Sequence, residues 1–339
     1  MLKIVMYSSA DKVAGQGVGS AYLELMKLLK ERNSKTLELS VNSFKKADIS
    51  HYHTIDFPFY LTTFFKKTGR KIGYVHFIPE TLDGSIRLPK FAFHIFKKYV
   101  MHFYGKMDHL VVVNPEFKLK LIELGIPEEK ITFIPNFISK ENFFVETEEV
   151  IRKNRKQYGL SDEDFVVLGA GQVQKRKGID DFFQLAVENP QIKFIWAGGF
   201  SFSLITDGYE KYKEMMANPP KNLIFTGIID RSELQHLYNL ADVFLLPSFS
   251  ELMPMSILEA ANTETPILLR DLELYEDIFF DGYAKAGGQK EMGDELLKMK
   301  ANPEYLGELS EKSRSISLAY SEERLSQVWE DFYKEQSMK

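Results

Sequence analysis

Residues 243–261 read VFLLPSFSELMPMSILEAA, a short apolar run followed by a polar turn and then by a helical pattern. The run Val243–Leu246 has the length and composition of a buried strand. Proline suits the first position of a helix, so Pro254 predicts that a helix starts close to the strand's carboxyl end. A strand that leads into a helix in this way is the repeating unit of a parallel α/β sheet.

The same alternation of strand and helix runs through the chain on both sides of this stretch. Further strand-like runs lie at residues 2–7, 36–41, 49–53, 71–76, 109–113, 131–134, 165–170, 192–197, 223–226 and 266–269. The alternation is interrupted at the polar and acidic segment 136–149. We therefore predict an α/β chain of two Rossmann-like parallel-sheet domains, residues 1–143 and 144–317. Ligands of such sheets bind beyond the carboxyl ends of the strands, so two facing sheets would form a ligand cleft.

The composition is that of a globular protein without disulfides. Its 339 residues, 44% hydrophobic and 27% charged, are enough for two domains with their own cores. Cysteine is absent, which excludes disulfides, thiolate metal ligands and a cysteine nucleophile. The apolar run at residues 2–7 is too short for an export signal, and no run approaches the ~18 apolar residues of a spanning helix. We expect a cytoplasmic protein that does not cross a membrane.

Charge is distributed unevenly along the chain. Residues 1–140 hold 21 Lys and Arg against 13 Asp and Glu, a balance of +8, and the other residues hold 22 against 35, a balance of −13. A basic first half is attracted to an anionic surface such as lipid headgroups. Nucleic acid is another anionic surface, but the chain carries no nucleic-acid recognition motif, so we expect no such partner.

Two carboxylates of the opening stretch are candidates for ligand contacts. Glu251 lies in the turn, and Glu259 lies in the helix among apolar neighbours, where an unpaired carboxylate is costly to bury. The free N–H groups at the start of this helix favour a diphosphate, and a hydroxyl-rich ligand would satisfy Glu259. The alternative is that Glu251 is a loop charge and Glu259 a surface residue on a half-exposed helix.

A basic turn follows the predicted strand at residues 165–170. It reads GQVQKRKG over residues 171–178, with the three consecutive cations Lys175, Arg176 and Lys177 between glycines. Such a turn can neutralise a diphosphate leaving group in place of a metal ion. The alternative is a solvated basic turn that binds nothing.

A second glycine-rich turn separates the first predicted strand from the first helix. It reads GQGVGS over residues 15–20. Glycines let the backbone approach a ligand there, although a tight loop would give the same pattern. The spacing differs from the dinucleotide fingerprint, and no acidic residue is placed after the second strand to bind a ribose. Both points argue against a dehydrogenase.

Three histidines end predicted strands of the first domain. His76 ends one strand, and His51 and His53 end another. His76 is expected to present a polar group or a base at the mouth of the cleft. Orienting groups or satisfied core residues are the alternative for these histidines. No spacing of His, Asp or Glu resembles a metal site, so we expect no metal.

Two segments of the first domain, residues 57–71 and 87–107, mix aromatic with basic residues. The residues expected to contact the acceptor and the membrane are Phe64, Phe65, Lys66, Lys67, Lys90, Phe91, Lys97 and Lys98. A basic aromatic helix can lie in a lipid interface with its rings inserted and its lysines at the phosphates. The alternative is a core helix with a basic outer face. The two interpretations are compatible if one side of the helix packs on the core while the other side contacts the membrane.

Together these features resemble a retaining glycosyltransferase of family 4, with the two-domain GT-B architecture, over nearly the whole chain. Glu251 and Glu259 have the Glu-x7-Glu spacing of that family, which implies that Glu251 contacts the transferred sugar and Glu259 the ribose. His76 matches the family's active-site histidine, and Lys177 matches its phosphate-binding lysine. The resemblance therefore implies that His76, Glu251 and Lys177 are the catalytic residues.

The resemblance also implies the remaining donor contacts. They are Gly17 in the loop that meets the diphosphate, Gln172, Arg176, the base-binding segment with Thr226, Gly227 and Ile228, and the donor loop with Met253, Pro254 and Met255. The family usually has arginine where this chain has Gln172, and Arg176 is expected to compensate for the missing charge. The final helix, about residues 318–339, should cross back to the first domain.

Within the family, three stretches resemble bacterial synthases that extend monoglucosyldiacylglycerol to a diglycosyl lipid. They are GVGSAYL at 17–23, YVHFIPET at 74–81 and FIWAGGF at 194–200. The resemblance implies metal-independent transfer of galactose or glucose from a UDP-sugar, a substrate rather than a cofactor, to a membrane glycolipid. We expect a peripheral protein on the inner face of the cell membrane. A soluble glycan acceptor, or a non-catalytic nucleotide-sugar sensor favoured only by Gln172, are the alternatives.

Overall fold

The computed structural model describes residues 1–10, 17–78, 89–200 and 208–339. The chain divides into two compact units, Met1–Phe137 with Ser321–Lys339, and Ile138–Tyr320. Within the described ranges each unit contains a six-stranded sheet, and every pairing between the strands of a sheet is parallel. The predicted α/β fold with two parallel sheets is confirmed.

Short strands form both sheets. In chain order they are β1 Leu2–Tyr7, β2 Leu37–Val41, β3 Ile49–Tyr52, β4 Arg70–Val75, β5 His109–Val112, β6 Ile131–Phe133, β7 Val166–Ala170, β8 Lys193–Ala197, β9 Leu223–Gly227, β10 Val243–Leu246, β11 Ile267–Arg270 and β12 Ala284–Ala286. The first sheet has the strand order β2-β1-β3-β4-β5-β6, and the second has the order β12-β11-β10-β7-β8-β9.

Helices connect most of these strands. Those that the structure describes are α1 Gly17–Arg32, α2 Phe57–Thr62, α3 Lys90–Gly105, α4 Pro115–Glu123, α5 Glu148–Gln157, α6 Ile179–Glu188, α7 Tyr209–Ala217, α8 Arg231–Leu240, α9 Met255–Asn262, α10 Glu273–Phe279, α11 Gln289–Ala301, α12 Pro303–Ala319 and α13 Glu322–Ser337. Three-residue 3₁₀ turns lie at Lys66–Thr68, Glu128–Lys130 and Lys175–Lys177.

Helix α13 belongs to the first unit, where it contacts α1 and β3. Leu325, Trp329 and Tyr333 recur every four residues, so they share one face of the helix, and all three are buried. The hydroxyl of Tyr333 lies 2.7 Å from Nδ1 of His51 on β3. An apolar face with a polar anchor therefore attaches the carboxyl-terminal helix to the first sheet.

The strand order of the second sheet indicates where along its carboxyl edge a ligand would bind. The chain runs from β7 to β8 and β9 on one side and returns to β10 on the other side of β7. The loops after β7 and β10 thereby lie side by side, at the switch point where open parallel sheets bind ligands. Both strands are buried along their whole length, so the polar groups at this edge come from the loops.

Some element bounds differ from the prediction. Helix α9 begins at Met255, and Pro254 is its N-cap rather than its first residue. Helix α1 begins at Gly17, inside the glycine-rich turn. The aromatic segment 57–71 is divided between α2, the 3₁₀ turn Lys66–Thr68 and the start of β4. Strand β12 is not among the predicted strands.

Candidate functional site

The loops after β7 and β10 bring one carboxylate together with two cations. Lys177 Nζ lies 2.5 Å from Glu251 Oε1, and Arg176 Nη1 lies 3.6 Å from Glu251 Oε2. The side chain of Glu251 is 6% exposed, and those of Lys177 and Arg176 are 13% and 30% exposed. Arg176 also donates to the carbonyl oxygen of Ser250 at 2.5 Å. Glu251 is therefore not an isolated loop charge, and the turn that carries Arg176 and Lys177 is not simply solvated, because the three side chains pair with one another.

The charges of this cluster determine its protonation. Burial opposes ionisation of Glu251, but Lys177 and Arg176 outweigh it and hold the pKa of the carboxyl below its usual value. Burial lowers the pKa of the Lys177 ammonium, which the charge of Glu251 opposes. Gln172, whose Oε1 accepts from Gln174 Nε2 at 3.2 Å, adds no charge. A diphosphate placed here would meet two cations beside one carboxylate.

A glycine lets these two loops approach each other. Gly178 has a φ of 72°, in the left-handed region, and is the N-cap of α6. A Cβ at this position would lie 2.2 Å from the carbonyl oxygen of Pro247 in the other loop. The backbone N–H of Phe249 donates to the carbonyl oxygen of Arg176 at 2.8 Å. The position of the cations relative to Glu251 therefore depends on backbone contacts between the loops.

Helix α9 carries the second carboxylate. Glu259 is buried, and the hydroxyl of Tyr238 donates to its Oε2 at 3.0 Å. Burial and the charge of Glu259 raise the pKa of Tyr238, which keeps this donor protonated. Glu259 is thus not a surface residue. Because Tyr238 already donates a hydrogen bond to its carboxylate, a ligand hydroxyl would add a further hydrogen bond to this group. Met253 and Met255 are buried on either side of Pro254.

The segment predicted to hold a base lies at the end of β9. Gly227 has a φ of 70°, and its carbonyl oxygen accepts from the N–H of Gly198 and the hydroxyl of Thr226, both at 2.9 Å. Ile228 is 49% exposed, and a Cβ at Gly199 would lie 3.2 Å from Ile228 Cγ1. An exposed isoleucine next to backbone glycines offers an apolar surface to a flat ring.

In the first unit, His76 follows β4 and is buried beside two further histidines. Its Nε2 lies 3.5 Å from Nδ1 of His53, and the ring centroids of His53 and His51 are 4.3 Å apart. Burial lowers the pKa of His51 and of His76 to about 3 and that of His53 well below its usual value. All three rings are neutral at physiological pH. This favours a polar group at His76 over a base that works near neutrality.

Parts of the predicted site lie outside the described residues. They are Gly15 and Gln16 of the glycine-rich turn, residues 79–81 of the second family-like stretch and the side chain of Lys90. Gly17 is described as the first residue of α1. Across the four described ranges, no group of three or more His, Cys, Asp or Glu could hold a metal ion.

The aromatic and basic segments of the first unit have an exposed face. Phe64, Phe65 and Phe91 are each more than half exposed. Lys67 Nζ lies 5.8 Å from the ring centroid of Phe65, and Lys106 Nζ lies 5.0 Å from that of Phe64. The lysines at positions 66 and 98 are exposed, and that at position 97 is half-buried. None of the helices within the described ranges combines the length and apolar character that crossing a bilayer requires.

Arg270 also shapes the site, although the predicted residues do not include it. It ends β11, donates through Nε to the carbonyl oxygen of Pro247 at 3.0 Å and forms an ion pair with Asp181. Its guanidinium carbon lies 3.9 Å from the ring centroid of Phe249. The sequence did contain a signal for Arg270, which follows three apolar strand residues directly. A charged residue in that position lies at the same sheet edge as Glu251.

Comparisons with known proteins identify the class to which this fold and site belong. Residues 150–315 match the family Glycosyl transferases group 1, and residues 17–142 match the family Glycosyltransferase Family 4. The chain belongs to the family 4 glycosyltransferases, as the resemblance predicts.

Individual relatives narrow this class. The chain is 56% identical to the alpha-galactosylglucosyldiacylglycerol synthase of Streptococcus pneumoniae, over 99% of this chain and 90% of the relative. It is 25% identical to the processive diacylglycerol alpha-glucosyltransferase of Acholeplasma laidlawii, over 82% of each chain. The predicted similarity to bacterial synthases of diglycosyl lipids is confirmed.

Solved structures share the fold over the full length of the chain. The Anabaena protein HepE in complex with UDP-glucose matches with a TM-score of 0.78 and 13% identity, over 99% of this chain and 100% of that chain. Sucrose-phosphate synthase from Thermosynechococcus elongatus matches with a TM-score of 0.81 and 13% identity, over 99% of both chains. At these identities the likeness establishes the GT-B fold alone.

Proposed function

We propose that the chain is a retaining, metal-independent hexosyltransferase that moves galactose or glucose from a UDP-sugar to a glucosyl diacylglycerol in a membrane. The buried pairing of Glu251 with Lys177 and Arg176 at the switch point of the second sheet carries the donor half of this proposal. The acceptor half is supported by the 56% identity to a synthase whose name specifies alpha-galactosylglucosyldiacylglycerol.

The diphosphate of the donor is proposed to bind at Lys177 and Arg176. As the bond between the sugar carbon and the phosphate oxygen breaks, its electron pair passes to the diphosphate. The acceptor oxygen bonds to the same carbon on the same face, and its proton goes to the departing phosphate oxygen. Two cations in a partly buried site stabilise this gain of negative charge more than they would in water. They take the role that a metal ion has in metal-dependent transferases.

The uridine is proposed to bind between the ends of β9 and α9. The exposed side chain of Ile228 would pack on the base, and Glu259 would accept the ribose hydroxyls while Tyr238 orients its carboxylate. Since Gln172 supplies no charge, Arg176 is the second cation for the diphosphate. The donor-loop residues Met253, Pro254 and Met255 would then line the pocket for the transferred sugar, next to Glu251.

The first unit is proposed to receive the lipid acceptor. Its exposed rings and lysines have the composition of an interfacial surface, in which the rings enter the acyl boundary and the lysines meet phosphates. His76, which the resemblance implies is the active-site histidine, would act as a neutral hydrogen-bonding group for the sugar, because burial keeps its ring uncharged. Gly17 would allow close backbone approach. The protein would be peripheral, on the inner face of the cell membrane.

The test is transfer by the purified protein in EDTA. Vesicles that contain monoglucosyldiacylglycerol are incubated with UDP-galactose or with UDP-glucose, and the lipids are analysed by mass spectrometry. Diglycosyl lipid formed in EDTA supports the reaction, its donor and its metal independence together. Product that appears only when Mg²⁺ or Mn²⁺ replaces EDTA would overturn metal independence. Product formed only on a soluble glycan would overturn the lipid acceptor.

A matched pair of variants tests the donor site in the same assay. Lys177→Ala removes the cation that lies 2.5 Å from Glu251, and Lys175→Ala removes an exposed cation of the same turn. We expect Lys177→Ala to lower kcat by about 100-fold or more, because leaving-group stabilisation is lost. Lys175→Ala is expected to keep a rate close to that of the wild type. Equal effects would show that only the net charge of the turn matters.

A further inference from the structure

Arg270 is a buried cation at the carboxyl edge of the second sheet, where the loops that carry Lys177 and Glu251 also lie. It is the last residue of β11, and its side chain is 9% exposed. A charge at this depth costs free energy unless it is paired and its donors are satisfied. The partners of its guanidinium therefore show which segments this residue joins.

The guanidinium contacts three separate segments at once. Its Nε donates to the carbonyl oxygen of Pro247 at 3.0 Å, its Nη1 donates to that of Gly287 at 3.3 Å, and its Nη2 pairs with Asp181. Its carbon lies 3.9 Å from the ring centroid of Phe249. Pro247 and Phe249 belong to the loop after β10, Gly287 follows β12, and Asp181 lies in the first turn of α6. A planar cation with donors in fixed directions suits such a set of partners.

These contacts reach both halves of the charged cluster at Glu251. Phe249, which stacks on the guanidinium, lies two residues before Glu251 in the same loop. Asp181, which pairs with it, lies four residues after Lys177, in the helix into which the basic turn leads. Arg270 thus joins the loop that carries the carboxylate to the segment that follows the cations.

The ion pair of Arg270 with Asp181 restricts how far these two segments can move apart. A buried ion pair is weak evidence for stability, because apolar residues of similar volume often stabilise a protein equally well. It does fix geometry, since each charge is left unpaired when its segment moves. Lys177 Nζ and Glu251 Oε1 lie 2.5 Å apart, and a misplacement of about 1 Å in such a site can cost 100-fold in rate. The bridge therefore bears on the position of the loops.

We propose that Arg270 and Asp181 are positioning residues that hold the loop of Glu251 against the turn of Lys177 and Arg176. This rests on the proposed function, because it takes that charged cluster as the donor site. The pair keeps the carboxylate and the two cations at the separation at which they bind the sugar and its diphosphate together. Arg270 acts through the two loops, and neither positioning residue needs to touch the donor.

A second ion pair of the same kind lies at the opposite edge of the same sheet. Arg155 pairs with Asp242 at 2.9 Å, and their side chains are 10% and 26% exposed, against 9% and 23% for Arg270 and Asp181. Asp242 directly precedes β10 and accepts from the N–H of Val166, the first residue of β7, at 2.7 Å. It therefore joins the amino ends of the two strands whose carboxyl ends lead to the donor loops. The two pairs match in chemistry and burial but differ in position.

The experiment compares Arg270→Met with Arg155→Met as full chains, using UDP-galactose and UDP-glucose with monoglucosyldiacylglycerol vesicles. Both changes break a buried pair, so both should lower the melting temperature. The assay is run at a temperature at which both variants are folded. Arg270→Met should lower kcat by roughly 10- to 100-fold, because Glu251 and the cations lose their relative position. Arg155→Met should keep the kcat of the wild type.

Two further variants separate position from charge and from folding. Arg270→Lys keeps a cation for Asp181, but an ammonium does not reproduce both the planar contact with Phe249 and the donor directed at Pro247. It should therefore recover the melting temperature more than it recovers kcat. If Arg270→Met does not fold, the double variant with Asp181→Leu also removes the unpaired carboxylate and should fold, while its kcat stays low. A double variant as active as the wild type would overturn the positioning role.

The coupling of Arg270 to Lys177 can be measured without turnover. If Arg270 positions Lys177 against Glu251, then Lys177→Met should lower the melting temperature less in Arg270→Met than in the wild type, because the contact is already weakened. Direct repulsion between the two cations would give the opposite sign. In Arg155→Met, Lys177→Met should cost as much as in the wild type. Equal costs in all three backgrounds would overturn the inference.

The outcomes distinguish the inference from the function on which it rests. An active wild type in which Arg270→Met loses transfer and Arg155→Met does not supports the positioning role. Equal losses in the two variants, or no loss in Arg270→Met, overturn it. A wild type that forms no product with either donor overturns the proposed function instead. In that case the melting temperatures of the Lys177→Met combinations test the positioning role by themselves.

Discussion

The carbonyl oxygen of Pro247 lies 2.2 Å from the place where a Cβ would stand on Gly178. Gly178 also has a φ of 72°, which costs a residue with a side chain ~1–2 kcal/mol. We expect Gly178→Ala to lower the free energy of unfolding by about 2–4 kcal/mol, since backbone must move to relieve the contact. Transfer should fall as well, because the loops that hold Lys177 and Glu251 separate. Urea unfolding and the transfer assay measure the two effects.

Gly159 provides the control for this substitution. It has a φ of 68°, but a Cβ there would have open space around it. Gly159→Ala is therefore expected to cost only the conformational term, ~1–2 kcal/mol, and to leave transfer unchanged. If the two substitutions cost the same, the close approach of Pro247 would not be a constraint on the site.

The fold could be predicted because its elements are local. Strands such as Val243–Leu246 are continuous apolar runs that end at polar turns, and the turns that follow carry Arg176, Lys177 and Glu251. Strand β12 is missed because Ala284 and Ala286 flank a lysine, a pattern with no strand preference. Pairing with β11, rather than propensity, makes this segment a strand.

The partners of the site residues could not be predicted in the same way. Lys177 and Glu251 are 74 residues apart, and only the strand order that places β7 next to β10 brings their loops together. Tyr238 meets Glu259 through the packing of α8 beside α9, and its spacing on α8 is that of any core residue. A sequence pattern indicates which side chains lie at a sheet edge, whereas tertiary packing decides which of them pair.

Replacement of Lys177 by an uncharged side chain should reverse the direction in which the pKa of Glu251 is shifted, and with it the pH dependence of stability that this residue contributes. In the wild type the pKa of Glu251 is below its usual value of 4.5, so the ion pair contributes stability above about pH 4.5 that is lost as the pH falls further. In Lys177→Met only Arg176, at 3.6 Å, still opposes the effect of burial, so we expect the pKa of Glu251 to rise above its usual value and the variant to carry a penalty at pH 7 that protonation relieves. The difference in melting temperature between the two proteins should narrow from pH 7 to pH 5.

Lys175→Met, in the same turn but exposed, should keep a small and constant difference over this range. A constant difference for Lys177→Met as well would mean that Arg176 alone keeps Glu251 charged over this range, and Lys177 would then not decide the ionisation of Glu251.

The histidine cluster predicts a loss of stability in mild acid. The pKa of His51 and of His76 is about 3 in the folded protein, against 6.5 in an unfolded chain, and that of His53 is also lowered. Stability is therefore present above pH 6.5 and is lost as the pH falls, because the unfolded chain takes up protons that the folded one excludes. Each histidine contributes about 1.4 kcal/mol per pH unit below that value.

Urea unfolding at pH 7 and pH 5 measures this effect, and His51→Phe removes one of the three groups. The variant should lose about 1.4 kcal/mol less per pH unit than the wild type, whatever its stability at pH 7. An identical pH dependence would show that His51 binds a proton in the folded state. The same pKa values predict that no ionisation of His76 appears in the transfer profile between pH 5 and pH 7.

The exposed aromatic face of the first unit predicts how the protein meets vesicles. Phe64 and Phe65 are 56% and 55% exposed, so removing both rings costs little folding stability but removes apolar area that a bilayer would bury. At about 25 cal/mol per Å² and roughly 100 Å² of buried ring surface each, the double change to serine should weaken vesicle binding by more than 100-fold. Cosedimentation with anionic vesicles measures this.

Leu318→Ser is the control variant. It removes an exposed side chain of the second unit, on α12, and should bind vesicles as the wild type does. Equal binding by all three proteins would exclude this face as the membrane contact, while transfer to a detergent-solubilised acceptor would still report on the donor site.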